Sequence, residues 1–118
     1  MAERWVRRAV LVACAVLVAA AALAGEGRPE KLIGLTVKPD DAQVVFEVYT
    51  TGCTEKSDFR IERSGDGFTL VRLHPDTCKM MPLTTTVVFT FAELGVRPHA
   101  AFTIGNRFAP DTATAALP

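Results

Sequence analysis

The residues that could carry out chemistry lie close to one histidine. His74 is followed two positions later by Asp76, and Ser57 lies upstream, so these residue types could form a hydrolytic triad. Neither serine of the chain, Ser57 or Ser64, lies in a Gly-x-Ser-x-Gly motif, and Ser64 fits a turn. The sequence therefore favours turn and strand roles for these residues, and a small hydrolase around His74 is an alternative.

Copper binding is a second chemistry that these residues suggest. His74, Met80 and Met81 lie close to Cys78 in the sequence, and imidazole and thioether ligands suit copper in an exported protein. Adjacent methionines on an extended chain point to opposite faces, so both reach one ion only if Pro82 bends the chain. Because methionine commonly fills gaps in cores, copper binding is also an alternative, and no cofactor is predicted.

The first 24 residues predict export. Three arginines within residues 4–8 precede an apolar run over residues 9–22, and the Ala-Leu-Ala sequence of residues 22–24 forms a cleavage site before Gly25. We interpret residues 1–24 as a signal peptide whose cleavage leaves a periplasmic or secreted protein. Two alternatives remain open. The apolar run, shorter than the roughly 20 residues that cross a bilayer, could be a retained anchor, and Cys14 follows a lipobox-like Leu-Val-Ala and could be lipidated.

The residues after the leader have the composition of one small domain. The whole chain carries 13 basic and 13 acidic residues, and the leader contains three of the arginines and one glutamate. The remainder is therefore slightly acidic, which predicts neither nucleic-acid binding nor stable membrane insertion after cleavage. We expect a single β domain over residues 25–108 and a flexible tail over residues 109–118, where alanine, threonine and proline show no periodicity.

Two cysteines remain after the leader, and their positions predict a disulfide. Exported proteins retain disulfides, and Cys53 and Cys78 are too far apart in the sequence for a C-x-x-C redox motif. The chain-entropy model credits a loop of this length with roughly 3 to 4 kcal/mol. The bond would also occupy both thiolates, which disfavours zinc.

Alternating apolar residues predict strands along most of the domain. Residues 33–38 and 43–51 flank a Pro-Asp-Asp turn and form a first hairpin. Residues 83–91 form the longest strand, and residues 100–104 form the last one. The pattern predicts an all-β fold, a small antiparallel β-sandwich-like domain of about six strands with one disulfide.

A Ser-Gly-Asp-Gly sequence at residues 64–67 predicts the turn of a second hairpin. A three-residue loop with Gly67 in the left-handed conformation would join residues 58–63 to residues 68–74. This register brings the two cysteines to the same end of the hairpin. It leaves Leu70 on one face and gathers four apolar residues on the other, namely Phe59, Ile61, Val71 and Leu73.

The strand over residues 83–91 has one apolar and one polar face. A packed face is expected for Leu83, Val87, Phe89 and Phe91. The opposite face, interrupted by Val88, presents the candidate binding residues Thr84, Thr86 and Thr90. A polar, uncharged face beside an open sheet edge can accept an extended peptide as an added strand.

Two local resemblances accompany this pattern. Residues 96–102 resemble the strand-linking corner of fibronectin type III domains, although Phe102 lacks the hydroxyl of a tyrosine corner. At its Gly-Cys-Thr, Asp-Phe and Asp-Thr-Cys-Lys segments, which begin at residues 52, 58 and 76, the chain resembles small exported bacterial proteins with a two-cysteine β domain. That resemblance spans residues 51–106 and implies a disulfide-stapled secreted β domain without assigning a catalytic residue.

The sequence therefore favours a non-enzymatic exported β module that binds a protein or peptide partner in the cell envelope. Copper binding and hydrolysis remain the alternatives.

Overall fold

The computed structural model describes residues 27–115, which form two sheets and confirm the all-β fold with a Cys53–Cys78 disulfide. The predicted signal peptide and its cleavage site lie outside the described residues. No helix within residues 27–115 is long and apolar enough to span a membrane. In chain order the strands are β1 (Arg28–Pro29), β2 (Gly34–Lys38), β3 (Gln43–Thr50), β4 (Phe59–Ser64), β5 (Gly67–Arg72), β6 (Leu83–Thr90) and β7 (Thr103–Ile104), and the helical turns are α1 (Phe91–Leu94) and α2 (Thr112–Ala115).

The first sheet is antiparallel and has the strand order β2-β3-β6. β2 and β3 form the predicted hairpin around a 3₁₀ turn (Pro39–Asp41), and Ala42 completes the chain reversal in the left-handed conformation. β3 is the central strand. Its side chains alternate between buried and half-buried positions because one of its faces covers the core.

The second sheet is built around β5. β4 pairs with it antiparallel on one side, whereas β1 and β7 pair with it on the other, β1 antiparallel and β7 parallel. The described residues therefore contain seven strands, two of which pair in parallel, compared with the predicted antiparallel domain of about six strands. The last strand is also shorter than the predicted 100–104, since β7 contains two residues.

The hairpin of β4 and β5 has a two-residue loop, so the predicted three-residue loop is wrong. Ser64 pairs with Gly67, and Gly65, with φ of 61°, takes the left-handed position. Gly67 instead allows the close approach of β7, since a Cβ there would collide with Thr103. The register is shifted by one residue, which moves Leu70 from the predicted outer face into the core.

The two sheets pack face to face through aromatic side chains. The ring of Phe46 in β3 meets the ring of Phe68 in β5 edge-on, with the centroids 6.0 Å apart, and meets the ring of Phe89 at 5.6 Å. This geometry is favourable for aromatic pairs and joins the sheets at the centre of the domain. On the packed face predicted for residues 83–91, Val87, Phe89 and Phe91 are buried.

Two predictions about the margins of the core are wrong. Leu83 is 55% exposed because it lies at the first position of β6, opposite Thr50, where the core ends. The segment predicted as a flexible tail packs as far as Ala115, which is buried together with Ala109. The N–H of Ala109 donates to the carbonyl of Leu32 at 2.7 Å, so the packed domain continues beyond the predicted boundary at residue 108.

Candidate functional site

β6 forms an open edge of the first sheet. Within residues 27–115 it pairs with β3 alone, and it does so along all eight residues. Its sequence, Leu-Thr-Thr-Thr-Val-Val-Phe-Thr, contains no charged residue and no proline. Natural proteins usually protect an edge of this length with charges, prolines or bulges. An uncharged edge of eight residues is therefore a feature suited to binding another strand.

Alternate residues of β6 direct their backbone groups to this open edge. The N–H of Phe91 donates to the carbonyl of Ala42 at 2.8 Å, which continues the β3–β6 ladder by one pair. Because hydrogen-bonded and non-hydrogen-bonded pairs alternate, the odd-numbered residues of β6 bond to β3. Thr84, Thr86 and Val88 therefore present their N–H and C=O groups outward.

Local features close both ends of this edge. Pro82, before the strand, has no N–H to donate. At the other end, the N–H of Thr90 donates to the Glu93 carboxylate at 3.0 Å, and the N–H of Glu93 donates to Thr90 Oγ1 at 3.1 Å. These two bonds form the capping box that begins α1. The outward-facing groups of Thr84, Thr86 and Val88, which we call the β6 ladder, thus have a defined length.

The structure separates the three predicted binding threonines. Thr84 and Thr86 are exposed on the outer face of the sheet, as predicted. Thr90 is half-buried, and its hydroxyl caps α1, so it is less available than the other two; its predicted binding role stays a prediction. Val88, 37% exposed, lies next to Thr86 along the same face.

The loop that leads into β6 is fastened to the end of β3. The Cys53–Cys78 disulfide joins the two segments with the Cα atoms 5.7 Å apart, within the ordinary range for such a bond. The N–H of Met80 donates to the carbonyl of Thr51 at 3.0 Å. The Met80 side chain also lies against Gly52, which has φ of 116° and leaves no room for a Cβ. The first residues of β6 are therefore held in position.

Asp76 is the centre of this fastening. Its Oδ1 accepts a hydrogen bond from the Cys78 N–H at 3.0 Å. Desolvation opposes ionisation, but hydrogen bonds from the loop outweigh it and hold the pKa of Asp76 well below its ordinary value. The carboxylate is thus an ionised structural group. Its Oδ2 accepts from Thr50 Oγ1, Thr51 N, Cys53 N and Thr54 Oγ1 at 2.9, 2.8, 3.1 and 2.8 Å.

A buried ion pair connects this network to β1. Arg72 Nε donates to the Glu30 carboxylate, and Nη1 donates to Thr54 Oγ1 at 3.0 Å. Arg72 Nη2 donates to the carbonyl of Tyr49 at 2.9 Å, and the guanidinium lies 4.7 Å from the ring centroid of Phe59. Burial raises the pKa of Glu30, although Arg72 acts against this rise. The pair holds β1 and β5 against the end of β3.

The predicted triad residues have other partners. His74 Nδ1 lies 3.5 Å from Asp58 Oδ1, and the histidine side chain is 68% exposed. Asp76 is engaged by the Thr50–Thr54 backbone and hydroxyls instead, and Ser57 is exposed in a 3₁₀ turn (Lys56–Asp58). The geometry therefore shows no relay between His74 and Asp76.

The side chains of the predicted copper ligands, His74, Met80 and Met81, are exposed. Met80 and Met81 are 62% and 82% exposed. Among the histidine, cysteine and acidic side chains of the described residues, the three that come within reach of one ion are Cys53, Asp76 and Cys78, and both of these sulfurs are in the disulfide. Copper binding through His74, Met80 and Met81 stays a prediction.

Sequence reasoning missed the buried polar residue that ties the end of β1 to β5 within the second sheet. Asn106 is buried, and its Oδ1 accepts from the Leu70 N–H, whereas its Nδ2 donates to the carbonyls of Glu30 and Leu70, each at 2.8 Å. Single polar residues of this kind leave no periodic signal. Asp76 did leave a signal in the sequence. The threonine-rich segment around Cys53 offers hydrogen-bond donors, and the segment before Cys78 offers a carboxylate.

No protein-family model, curated protein or solved structure matches this chain. The geometry of its own residues is therefore the basis of the functional proposal.

Proposed function

We propose that this protein is a non-enzymatic binding module, exported to the periplasm or secreted, that accepts an extended segment of a partner protein along β6. The observation that carries this proposal is the β6 ladder, whose outward N–H and C=O groups match those of an added strand. Main-chain hydrogen bonds would supply affinity. Leu83 and Val88, both exposed and on opposite faces of the strand, would supply side-chain contacts for specificity.

The other long edges support the choice of β6. β4 carries Arg60 and Glu62, which form an ion pair at the surface, followed by exposed Arg63. β2 is shorter and ends at the exposed Lys38. Charges on an edge discourage pairing with a further strand. β6 combines the length of a full ladder with the absence of charge.

The cysteine and carboxylate chemistry supports an exported, non-enzymatic protein. The disulfide fits the oxidising compartment that the leader predicts. The Asp76 carboxylate, which the triad would need, is engaged by five hydrogen bonds that fasten the loop. These observations favour a structural use for the residues that most resemble a catalytic set.

Site-specific photocrosslinking in cells tests the proposal. A photoreactive amino acid at Thr86 should capture a partner segment, and mass spectrometry should map the crosslink to one extended stretch of that partner. The same amino acid at Thr36 is a matched control, because Thr36 is exposed on the outer face of the same sheet but lies on β2.

Two substitutions show whether the backbone edge is responsible. Thr86→Lys should abolish the crosslinked pull-down from a neighbouring probe at Thr84, because a charge on the edge opposes strand addition. Thr86→Val should retain it, since the backbone groups are unchanged. Equal capture at Thr36 and Thr86, or an unaltered pull-down in the Thr86→Lys protein with an unchanged melting temperature, would contradict the proposed site.

A further inference from the structure

We propose that, when no partner is bound, a second copy of this chain occupies the β6 edge through antiparallel β6–β6 pairing centred on Thr86. This inference rests on the same edge as the proposed function and names what covers it in the free protein. The β6 ladder is symmetric about Thr86, with Thr84 and Val88 at equal distances along the strand. An antiparallel second copy therefore places position 84 opposite position 88 and position 86 opposite itself, and every outward group of the ladder finds a partner.

The ends of the ladder set this register. Pro82 lacks an N–H, and the Thr90 N–H is already bonded to Glu93, so neither residue can extend the pairing with both backbone groups. A shift by two residues along the strand would place an outward group opposite Pro82 or Thr90. The centred register avoids this loss, and closed pairing by the same patch on both copies is the usual form of a two-fold interface.

The side chains are compatible with the same register. On the outer face, Thr86 would lie opposite Thr86 of the second copy, and Thr84 opposite Val88, so no like charges meet. On the core-facing side, Leu83 would lie opposite Phe89 of the second copy. Leu83 is 55% exposed in the single chain, so pairing would cover an apolar side chain that the fold itself leaves in water.

The charges on the other edges make this pairing specific to β6. A copy of β4 set against itself would bring Arg60, Glu62 and Arg63 into one interface, with like charges close together in several registers. β2 would bring the Lys38 side chains into its interface. The uncharged β6 edge carries no such penalty.

Sedimentation velocity of the exported form, measured over a range of concentrations, tests the inference. We expect a reversible monomer–dimer equilibrium. Thr86→Lys should raise the dimer dissociation constant by about tenfold or more, because it sets two ammonium groups opposite each other across the two-fold axis. Thr86→Val should leave the constant unchanged, and Thr36→Lys is the matched control for an added charge on the same sheet face.

A charge-pair rescue tests the register itself. Thr84→Lys alone should weaken the dimer, and adding Val88→Glu should restore it, because position 84 faces position 88 of the second copy twice in each dimer. Both positions are exposed, so melting temperatures should stay close to that of the wild type. A protein that is monomeric at every concentration, or a dimer that does not respond to Thr86→Lys and is not rescued by Val88→Glu, overturns the inference.

The two proposals fail in different ways. Loss of self-association with retained partner crosslinking at Thr86 would remove the dimer and leave the binding function. A dimer with the expected register and no partner crosslink would keep the self-pairing and remove the proposed function.

Discussion

Replacing Asp76 with alanine should destabilise the folded protein by about 3 to 5 kcal/mol. Hydrogen bonds to a charged group contribute about 1.5 to 3 kcal/mol each, and two of the Asp76 bonds come from the buried Thr50 and Thr51. The remaining three bonds come from Thr54, Cys53 and Cys78, which are more exposed residues than Thr50 and Thr51, so we count these bonds as much weaker. The substitution would also leave the Thr51 N–H without its carboxylate partner.

The same carboxylate should make stability depend on pH. The pKa of Asp76 is depressed in the folded state, whereas the unfolded pKa is about 3.9. The contribution of Asp76 is therefore fully present well above pH 4 and is lost as the pH falls toward the folded value. Below about pH 4 the free energy of unfolding should fall by up to about 1.4 kcal/mol per pH unit through this one group.

Urea unfolding between pH 2 and pH 7, with the disulfide intact, measures both effects. Asp76→Asn should lose stability at pH 7 and show a shallower acid dependence than the wild type, and the gap between the two curves should narrow as the pH falls below about 4. Asp40→Asn is a control, since Asp40 is an exposed carboxylate in the 3₁₀ turn. Parallel pH curves for the wild type and Asp76→Asn would refute the proposed role of the carboxylate.

Three further predictions concern the staple, the core and the leader. Cys78→Ser should lower the free energy of unfolding by roughly 3 to 4 kcal/mol in denaturant titrations, and the unreduced, unfolded wild type should show no titratable thiol beyond those of any retained leader. Phe89→Ala should cost roughly 3 to 5 kcal/mol, because the ring is 6% exposed and packs on Phe46; a loss below about 1 kcal/mol would show that the ring is not part of the core. The exported form should begin at Gly25 by intact mass, and a species that retains residues 9–24 or carries a lipid on Cys14 would contradict cleavage.

The elements that could be predicted are those with a local pattern. The alternation in β6 correctly placed Val87 and Phe89 in the core and Thr84 and Thr86 at the surface. The hairpin register could not be predicted, because Gly65 and Gly67 can both adopt a left-handed conformation. The structure shows that Gly67 is needed for the approach of β7, a contact between residues far apart in the sequence.

The candidate site was predictable as a face but not as an edge. Period-two alternation identifies which side chains share a face, whereas strand order decides which backbone groups are left unpaired. The Thr90 hydroxyl is used in the capping box with Glu93, and the alternation of β6 does not reveal that use. Arg72 and Glu30 are 42 residues apart, and isolated charged residues in strands usually indicate solvent exposure, so their burial left no signal.

Asp76 has a consequence for the order of oxidative folding. The backbone N–H groups of both Cys53 and Cys78 donate to this one carboxylate, at 3.1 and 3.0 Å. The contacts that bring the two thiols together are therefore noncovalent and do not require the sulfur–sulfur bond. Between these segments lies the β4–β5 hairpin, and because its contacts are local we expect it to form early. We expect the reduced chain, on reaching an oxidising compartment, to hold its thiols at a high effective concentration, so that oxidation secures a loop that the carboxylate has already gathered.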